Sequence, residues 1–195
     1  MSLKLNSSGG GSVLLQEPIT ASNLTISLPA GSGTIAVQGV SSNIVSGTAV
    51  ASTSGTSIDF TGIPSWVKRI TVMFNGVSGS ALAAVFMRVG TSSGIVSSGY
   101  LGNATYLPTA GATVASTYWP LDGATLGATS LRQGAFTLVN ITGNTWCFSG
   151  ASSDSTGTGA SVASGALVLS APLDRVSIGI SSGTFDAGSI NILYE

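Results

Sequence analysis

The sequence predicts an all-β protein in which a short-stranded N-terminal region is followed by an antiparallel, jelly-roll-like β-sandwich. The composition supports this, because 27 Gly, 33 Ser and 21 Thr occur among 195 residues and only 7% of residues are charged. Long helices are disfavoured, since Lys, Arg and Glu are good helix formers and are scarce here. Apolar and polar residues also alternate in short segments between turn residues, a pattern typical of sandwiches and barrels.

Residues 1–40 are predicted to form a first unit of four short strands, at 3–5, 12–16, 24–28 and 34–38. Its apolar residues stand in short rows, which are Leu3, Leu5, Val13, Leu15, Leu24, Ile26 and Leu28. A region of this size has little apolar bulk for a core of its own, and it contains no Cys or His to provide a disulfide or a metal staple. We therefore predict that these residues serve attachment and assembly, with other chains covering the apolar rows. A disordered tail is the alternative.

The remaining chain is predicted to comprise a linker at 41–56 and an antiparallel β-sandwich domain at 57–195. The linker segment is rich in small residues, with an edge strand near 48–51 as the alternative. Apolar alternation in the domain predicts strands at 58–60, 70–75, 85–89, 95–101, 135–139, 145–148, 166–169, 176–180 and 190–194. The last two strands are expected to pair with each other through a turn at 181–188, where Gly and Asp offer turn chemistry.

Charge and hydropathy exclude two classes of partner. The net charge is −1 with only six Lys and Arg, so the basic surface that nucleic acid requires is missing. The longest purely apolar run is seven residues, 81–87, whereas a membrane-spanning helix needs about 20. Polar and Gly residues follow Lys4 where a signal peptide would have its apolar region. We therefore expect that the protein does not insert into a membrane. We also expect that it is made in a cytoplasm and is not exported by means of a signal peptide.

Catalytic chemistry is poorly represented, and we predict no enzyme activity, no cofactor and no metal. The chain lacks His, which excludes Ser-His-Asp and Cys-His arrangements and His-containing metal sites. Cys147, the single cysteine, lies between two aromatic residues and is expected to be a buried apolar residue. The seven acidic residues are expected to serve as turn residues. The charged dipeptides Lys68-Arg69 and Asp174-Arg175 each precede a strand and are expected to form ion pairs with Asp59 or Asp186.

The aromatic residues supply the candidate ligand contacts. Tyr118 and Trp119 precede Pro120 in a segment with turn character, and exposed Tyr and Trp rings can stack on sugars. We identify these two residues as candidate glycan contacts, with a core or interface position as the alternative. Trp66 and Trp146 alternate with apolar residues and are predicted to lie in the core.

Three parts of the chain carry a resemblance to a known family. The first is spread over the N-terminal region as LKLNS (3–7), GGGSV (9–13), QEP (16–18), TASNLT (20–25) and LPA (28–30). The other two are IDFTGIPSWVKRI (58–70) and TFDAGSINILYE (184–195). The N-terminal pieces resemble the corresponding region of tailed-bacteriophage fibre proteins, and the other two segments resemble recurring elements of phage virion proteins. Residues 79–165 carry no such motif.

The resemblance implies a non-enzymatic virion structural protein, either a fibre or a head-decoration protein. Such proteins are typically homotrimers that attach by the N-terminus to capsid or tail proteins and project a β-rich domain. The implied location is the virion, assembled in the host cytoplasm. The alternative function is a glycan-binding β-sandwich that recognises the host surface. The resemblance transfers no catalytic residue to this chain.

Overall fold

In a computed structural model the chain divides into two compact units, residues 1–40 and residues 41–195. The parts that the structure describes are residues 2–6, 8–10, 12–16, 44–107, 111–155 and 159–195. Their regular elements are all β-strands, every strand pair is antiparallel, and the predicted all-β sandwich class is confirmed.

The first unit contains one hairpin within its described residues. Strand β1 (Ser2–Asn6) pairs with β2 (Ser12–Gln16), and both lie where the sequence predicts a short strand. Gly10 in the connecting turn has a φ of 86°, a conformation that glycine adopts without the steric cost of a side chain. The two further strands predicted near 24–28 and 34–38 lie outside the described residues.

Fourteen strands make up the described part of the second unit. They are β3 (Val45–Ser46), β4 (Val50–Ala51), β5 (Ser57–Thr61), β6 (Arg69–Gly79), β7 (Val85–Thr91), β8 (Gly94–Ile95), β9 (Leu101–Leu107), β10 (Gly111–Val114), β11 (Trp119–Pro120), β12 (Arg132–Thr142), β13 (Thr145–Asp154), β14 (Ala160–Val168), β15 (Arg175–Ile180) and β16 (Phe185–Tyr194). Eight of the nine strands predicted after residue 57 overlap β5, β6, β7 and β12 to β16.

The strands form two packed sheets with a nested, jelly-roll-like topology. Sheet I has the order β10-β9-β14-β13-β12-β6-β16-β3, with β4 also pairing β16. Sheet II has the order β11-β7-β15-β5, with β8 also pairing β7. Early strands pair with late ones, β4 with β16, β5 with β15, β6 with β12 and β7 with β11. This nesting is how a jelly roll closes two Greek keys into a sandwich.

The hydrophobic core lies between the two sheets. Strand β7 illustrates how it forms, because Val85, Met87 and Val89 are buried while Phe86 and Arg88 alternate with them on the outer side. Sheet I and sheet II contribute the large buried side chains of Ile58, Val72, Phe136, Leu138, Trp146, Phe148, Val176 and Ile178. One continuous core therefore stabilises the second unit.

The segment expected to be a linker belongs to the second unit and pairs with its last long strand. Strands β3 and β4 both lie along β16, in agreement with the alternative of an edge strand near residues 48–51. Ser52 is fully buried, its amide donates to the Gly188 carbonyl at 3.0 Å, and its hydroxyl donates to the Ala187 carbonyl at 2.8 Å. These bonds use the backbone of β16, so the pairing requires no large apolar residue in the segment.

The predicted hairpin between the last two strands is wrong. Strand β15 pairs with β5 and β7 in sheet II, whereas β16 pairs with β6, β3 and β4 in sheet I. The segment after Ile180 therefore crosses from one sheet to the other. Both strands were recognisable from their period-two pattern, but that pattern does not encode the partner strand.

The single strand predicted at 95–101 is replaced by a loop between β8 and β9. Gly99 in this loop has a φ of 82°. Tyr100 is buried and its hydroxyl oxygen lies 2.9 Å from the Val89 amide and 2.9 Å from the Val96 carbonyl, to which it donates. Burial raises the pKa of Tyr100 to about 12, so its phenol remains a donor at neutral pH. The tyrosine thereby anchors the loop to sheet II.

Trp66 and Cys147 are less buried than the sequence predicts. Trp66 is 51% exposed in the turn that follows Pro64, where the Val67 amide donates to the Pro64 carbonyl at 3.1 Å. Val67 is buried instead of its neighbour. Cys147 is half-buried, because Trp146 and Phe148 on either side point into the core and strand alternation turns Cys147 outward.

Candidate interaction surfaces

Tyr118 belongs to a partly exposed cluster on the outer side of sheet II. We call Phe86, Arg88 and Tyr118 the cation–aromatic patch. The Phe86 and Tyr118 ring centroids are 4.7 Å apart, and the Arg88 guanidinium carbon lies 4.9 Å from the Phe86 centroid and 5.9 Å from that of Tyr118. Arg88 Nε donates to the Thr117 carbonyl at 3.0 Å, which holds the cation over the rings. The patch combines apolar faces with hydrogen-bond donors.

A glycine on the neighbouring strand permits this arrangement. Gly179 of β15 lies opposite Phe86 of β7, and a Cβ on Gly179 would be 2.3 Å from the Phe86 ring. Any other residue would displace the ring, since such a contact is far below van der Waals distance. The patch therefore depends on residues from two strands and from the segment before β11.

Trp119, the second predicted glycan contact, is fully buried in the core. Its indole nitrogen donates to the Ala166 carbonyl at 3.3 Å, and its ring packs against Tyr100 and Phe148 at centroid distances of 5.3 and 4.7 Å. Trp119 thus occupies the core position that was the alternative prediction, and its ring is not accessible to a sugar. Of these two residues, Tyr118 is the one with a partly exposed ring. Tyr118 and Trp119 therefore do not form one site, and the prediction of a glycan contact at Trp119 is wrong.

The predicted attachment residues are only partly within the described chain. In the first hairpin Leu3 pairs with Leu15, and Leu5 pairs with Val13. Backbone register thus brings four of the seven predicted residues together in two cross-strand pairs. The other three are Leu24, Ile26 and Leu28, which lie outside the described residues.

A buried polar cluster, which the sequence did not predict, lies between the sheets. Arg132 Nε donates to Asp122 Oδ2 at 2.7 Å, and the Val85 amide donates to the same oxygen at 2.7 Å. The Arg132 Nη2 atom donates to the Ala83 carbonyl at 2.6 Å. Burial raises the pKa of the Asp122 carboxyl, against the opposing effects of the Arg132 charge and the hydrogen bond from Val85. The cluster holds the start of β12 against β7 and the segment after β11.

A second buried carboxyl adjoins this ion pair. Asp154 accepts a hydrogen bond from the Tyr106 hydroxyl, and its charge opposes ionisation of Asp122. Both carboxyls are at most 6% exposed. Acid–base chemistry on a sugar needs carboxyls that face a substrate cleft, whereas these two face the interior and serve packing.

The alternation of inward and outward side chains along a strand could have predicted the burial of two residues of this cluster. Arg132 has the same parity along β12 as Phe136 and Leu138, and Asp154 has the same parity along β13 as Phe148, so both point inward. The burial of Asp122 could not be predicted in this way, because Asp122 lies in an irregular segment whose path depends on tertiary packing.

The ion pairs differ from those expected. Arg69 pairs with Glu195, and Arg175 pairs with the adjacent Asp174 at 2.9 Å, so neither uses the two aspartates that the sequence suggested. Within the described residues no cluster of three His, Cys, Asp or Glu side chains could hold a metal ion. Across the same described segments, no helix has the length and hydropathy needed to cross a membrane.

Comparison with protein-family models, with curated proteins and with solved structures gives no match to this chain.

Proposed function

We propose that this chain is a non-enzymatic structural protein of a tailed-phage virion, either a fibre or a head-decoration protein. It attaches through residues 1–40 to capsid or tail proteins, assembles as a homotrimer and projects the sandwich of residues 41–195. Assembly takes place in the host cytoplasm, and no cofactor is involved.

The observation that carries this proposal is the division of the chain at residue 40. One compact unit contains a short hairpin, and the other contains a sandwich with its own core. The chain thus provides a separate element for attachment and a self-supporting element for display. The resemblance of pieces within residues 3–30, and of residues 58–70 and 184–195, to phage proteins supports a phage particle as the site of attachment.

The proposal predicts that removal of residues 1–40 abolishes incorporation into particles without unfolding the sandwich. The 41–195 chain keeps β3, β4 and the complete core, so its circular dichroism should show strands and well under a quarter helix. Phage assembled with this shortened chain should contain almost none of it, as measured by its copy number per particle. A folded 41–195 chain that enters particles at the normal copy number would contradict the attachment role.

The cation–aromatic patch supports a second candidate function, recognition of a host-surface glycan. Aromatic faces and a guanidinium donor occur together there, and both are features of sugar sites. We expect Tyr118→Ala and Arg88→Ala each to abolish signal on a glycan array, while Trp66→Ala, which removes an exposed tryptophan elsewhere, leaves it unchanged. An array on which the unmodified protein binds nothing would remove this candidate.

A further inference from the structure

Five neighbouring strands of sheet I present an outer surface with several exposed apolar residues and no charged residue, and Arg69 of β6, opposite Val139, marks its edge. We define the neutral face as the outward-facing residues of β9, β10, β12, β13 and β14. Leu101, Val114 and Val168 on this face are each at least 70% exposed, and Val139 and Val162 are more than 40% exposed. These residues come from β9, β10, β12 and β14, which together with β13 form one run of neighbouring strands in the sheet. Their exposure is therefore a property of one continuous surface.

Charge distribution separates this face from the outer side of sheet II. Asp59 on β5, Arg88 on β7 and Arg175 on β15 give each main strand of sheet II a charged residue outside the core. On the neutral face, by contrast, no described residue is charged. The charges that β12 and β13 carry, Arg132 and Asp154, point inward and are buried. Sheet II thus resembles a solvated surface, and the neutral face does not.

Strand register arranges the neutral face into rows that run across the strands. One row is mainly polar but uncharged, and its members are Thr137, Ser149, Ser164 and Asn103. Apolar rows flank it, one formed by Val139, Cys147, Ala166 and Leu101 and the other by Ala135, Ala151 and Val162. Uncharged hydrogen-bonding groups between two apolar rows can align a second protein surface against this face, and no charge has to be buried for that.

The size of the neutral face suits a protein interface. Five strands about 4.8 Å apart, each with about four outward residues at 6.6 Å spacing, cover about 600 Å². This approaches the roughly 800 Å² that each partner contributes to a standard interface. A groove of about 680 Å³ at one end, lined by Leu101, Asn103, Val114, Ser164 and Ala166, offers a place for protruding side chains.

We propose that the neutral face packs against further copies of this chain in a closed homo-oligomer, an inference that rests on the proposed function. The occupant must be uncharged where it meets this face, because an unpaired charge would lose its hydration there. The neutral face is itself such a surface, so self-association satisfies the requirement. The described residues of this face include no aromatic ring for a sugar to stack on, which argues against a glycan as occupant.

The test introduces a charge on the face and measures the oligomeric state of the full-length protein. Val162→Glu and Leu101→Glu are the two test variants, and Thr61→Glu, at an exposed position on sheet II, is the matched control. By sedimentation equilibrium the unmodified protein and the control should have a multiple of the 19.2-kDa chain mass. Each test variant should weaken association by about 100-fold or more and keep the native circular dichroism.

Cys147 gives an independent readout, because it is the single cysteine of the chain and lies on the neutral face. A thiol reagent should label it slowly in the unmodified oligomer and rapidly in the Val162→Glu monomer. If the folded test variants keep the oligomer mass and Cys147 labels rapidly in the oligomer, the inference fails, while assembly through residues 1–40 remains tenable. A monomeric full-length protein that still enters particles would overturn the inference and the trimer but not the attachment role.

Discussion

Replacing Arg132 with methionine lowers the free energy of unfolding by about 3–5 kcal/mol. The substitution leaves Asp122 buried without the cation that lies 2.7 Å from it, and it removes the donor to the Ala83 carbonyl. Chemical denaturation at a fixed protein concentration measures the loss. Arg69→Met is the matched control, since Arg69 is more than half exposed and its pair with Glu195 is worth at most about 1 kcal/mol. Equal losses in the two variants would show that the buried pair is not stabilising.

The loss in the Arg132→Met variant should depend on pH. Without Arg132 the pKa of the Asp122 carboxyl rises further. In the folded variant this carboxyl therefore keeps a proton that it releases above about pH 3.8 in the unfolded chain. A carboxyl whose pKa is raised by folding contributes its full stability below the unfolded value and loses it as the pH rises through the folded value. The difference in the free energy of unfolding between the variant and the unmodified protein should therefore shrink as the pH is lowered towards 3.8. A difference that grows on acidification would contradict this assignment.

In a separate variant, replacing Trp119 with alanine lowers the free energy of unfolding by about 3–5 kcal/mol. The indole is fully buried between Tyr100 and Phe148, so its removal leaves a cavity and deprives the Ala166 carbonyl of its donor. Trp66→Ala makes the same chemical change at a half-exposed site and should cost about 0.5 kcal/mol or less. Comparable losses at the two sites, measured by denaturant unfolding, would show that Trp119 does not support the core.

Part of the candidate surface was visible in the sequence. Tyr118 was singled out as a surface aromatic, and the structure places it beside Phe86 and Arg88. The other two residues were missed because they lie some 30 positions away and reach Tyr118 only through the pairing of β7 with β11. Trp119 was assigned to the same surface because adjacent residues of a strand cannot be told apart until the inward side is known.

The sequence by itself determined the all-β class, eight of the strands after residue 57 and the scarcity of charge. These properties are local or compositional: period-two alternation depends on the backbone geometry of a single strand, and charge content is a count. The tertiary structure decided that β16 lies beside β6 and not β15, and that Trp119 and Arg132 are buried while Trp66 is exposed. It also decided that the outward residues of β9, β10 and β12 to β14 form one neutral face. Strand pairing joins residues distant in the chain, so the choice of partner depends on how both sheets close around one core.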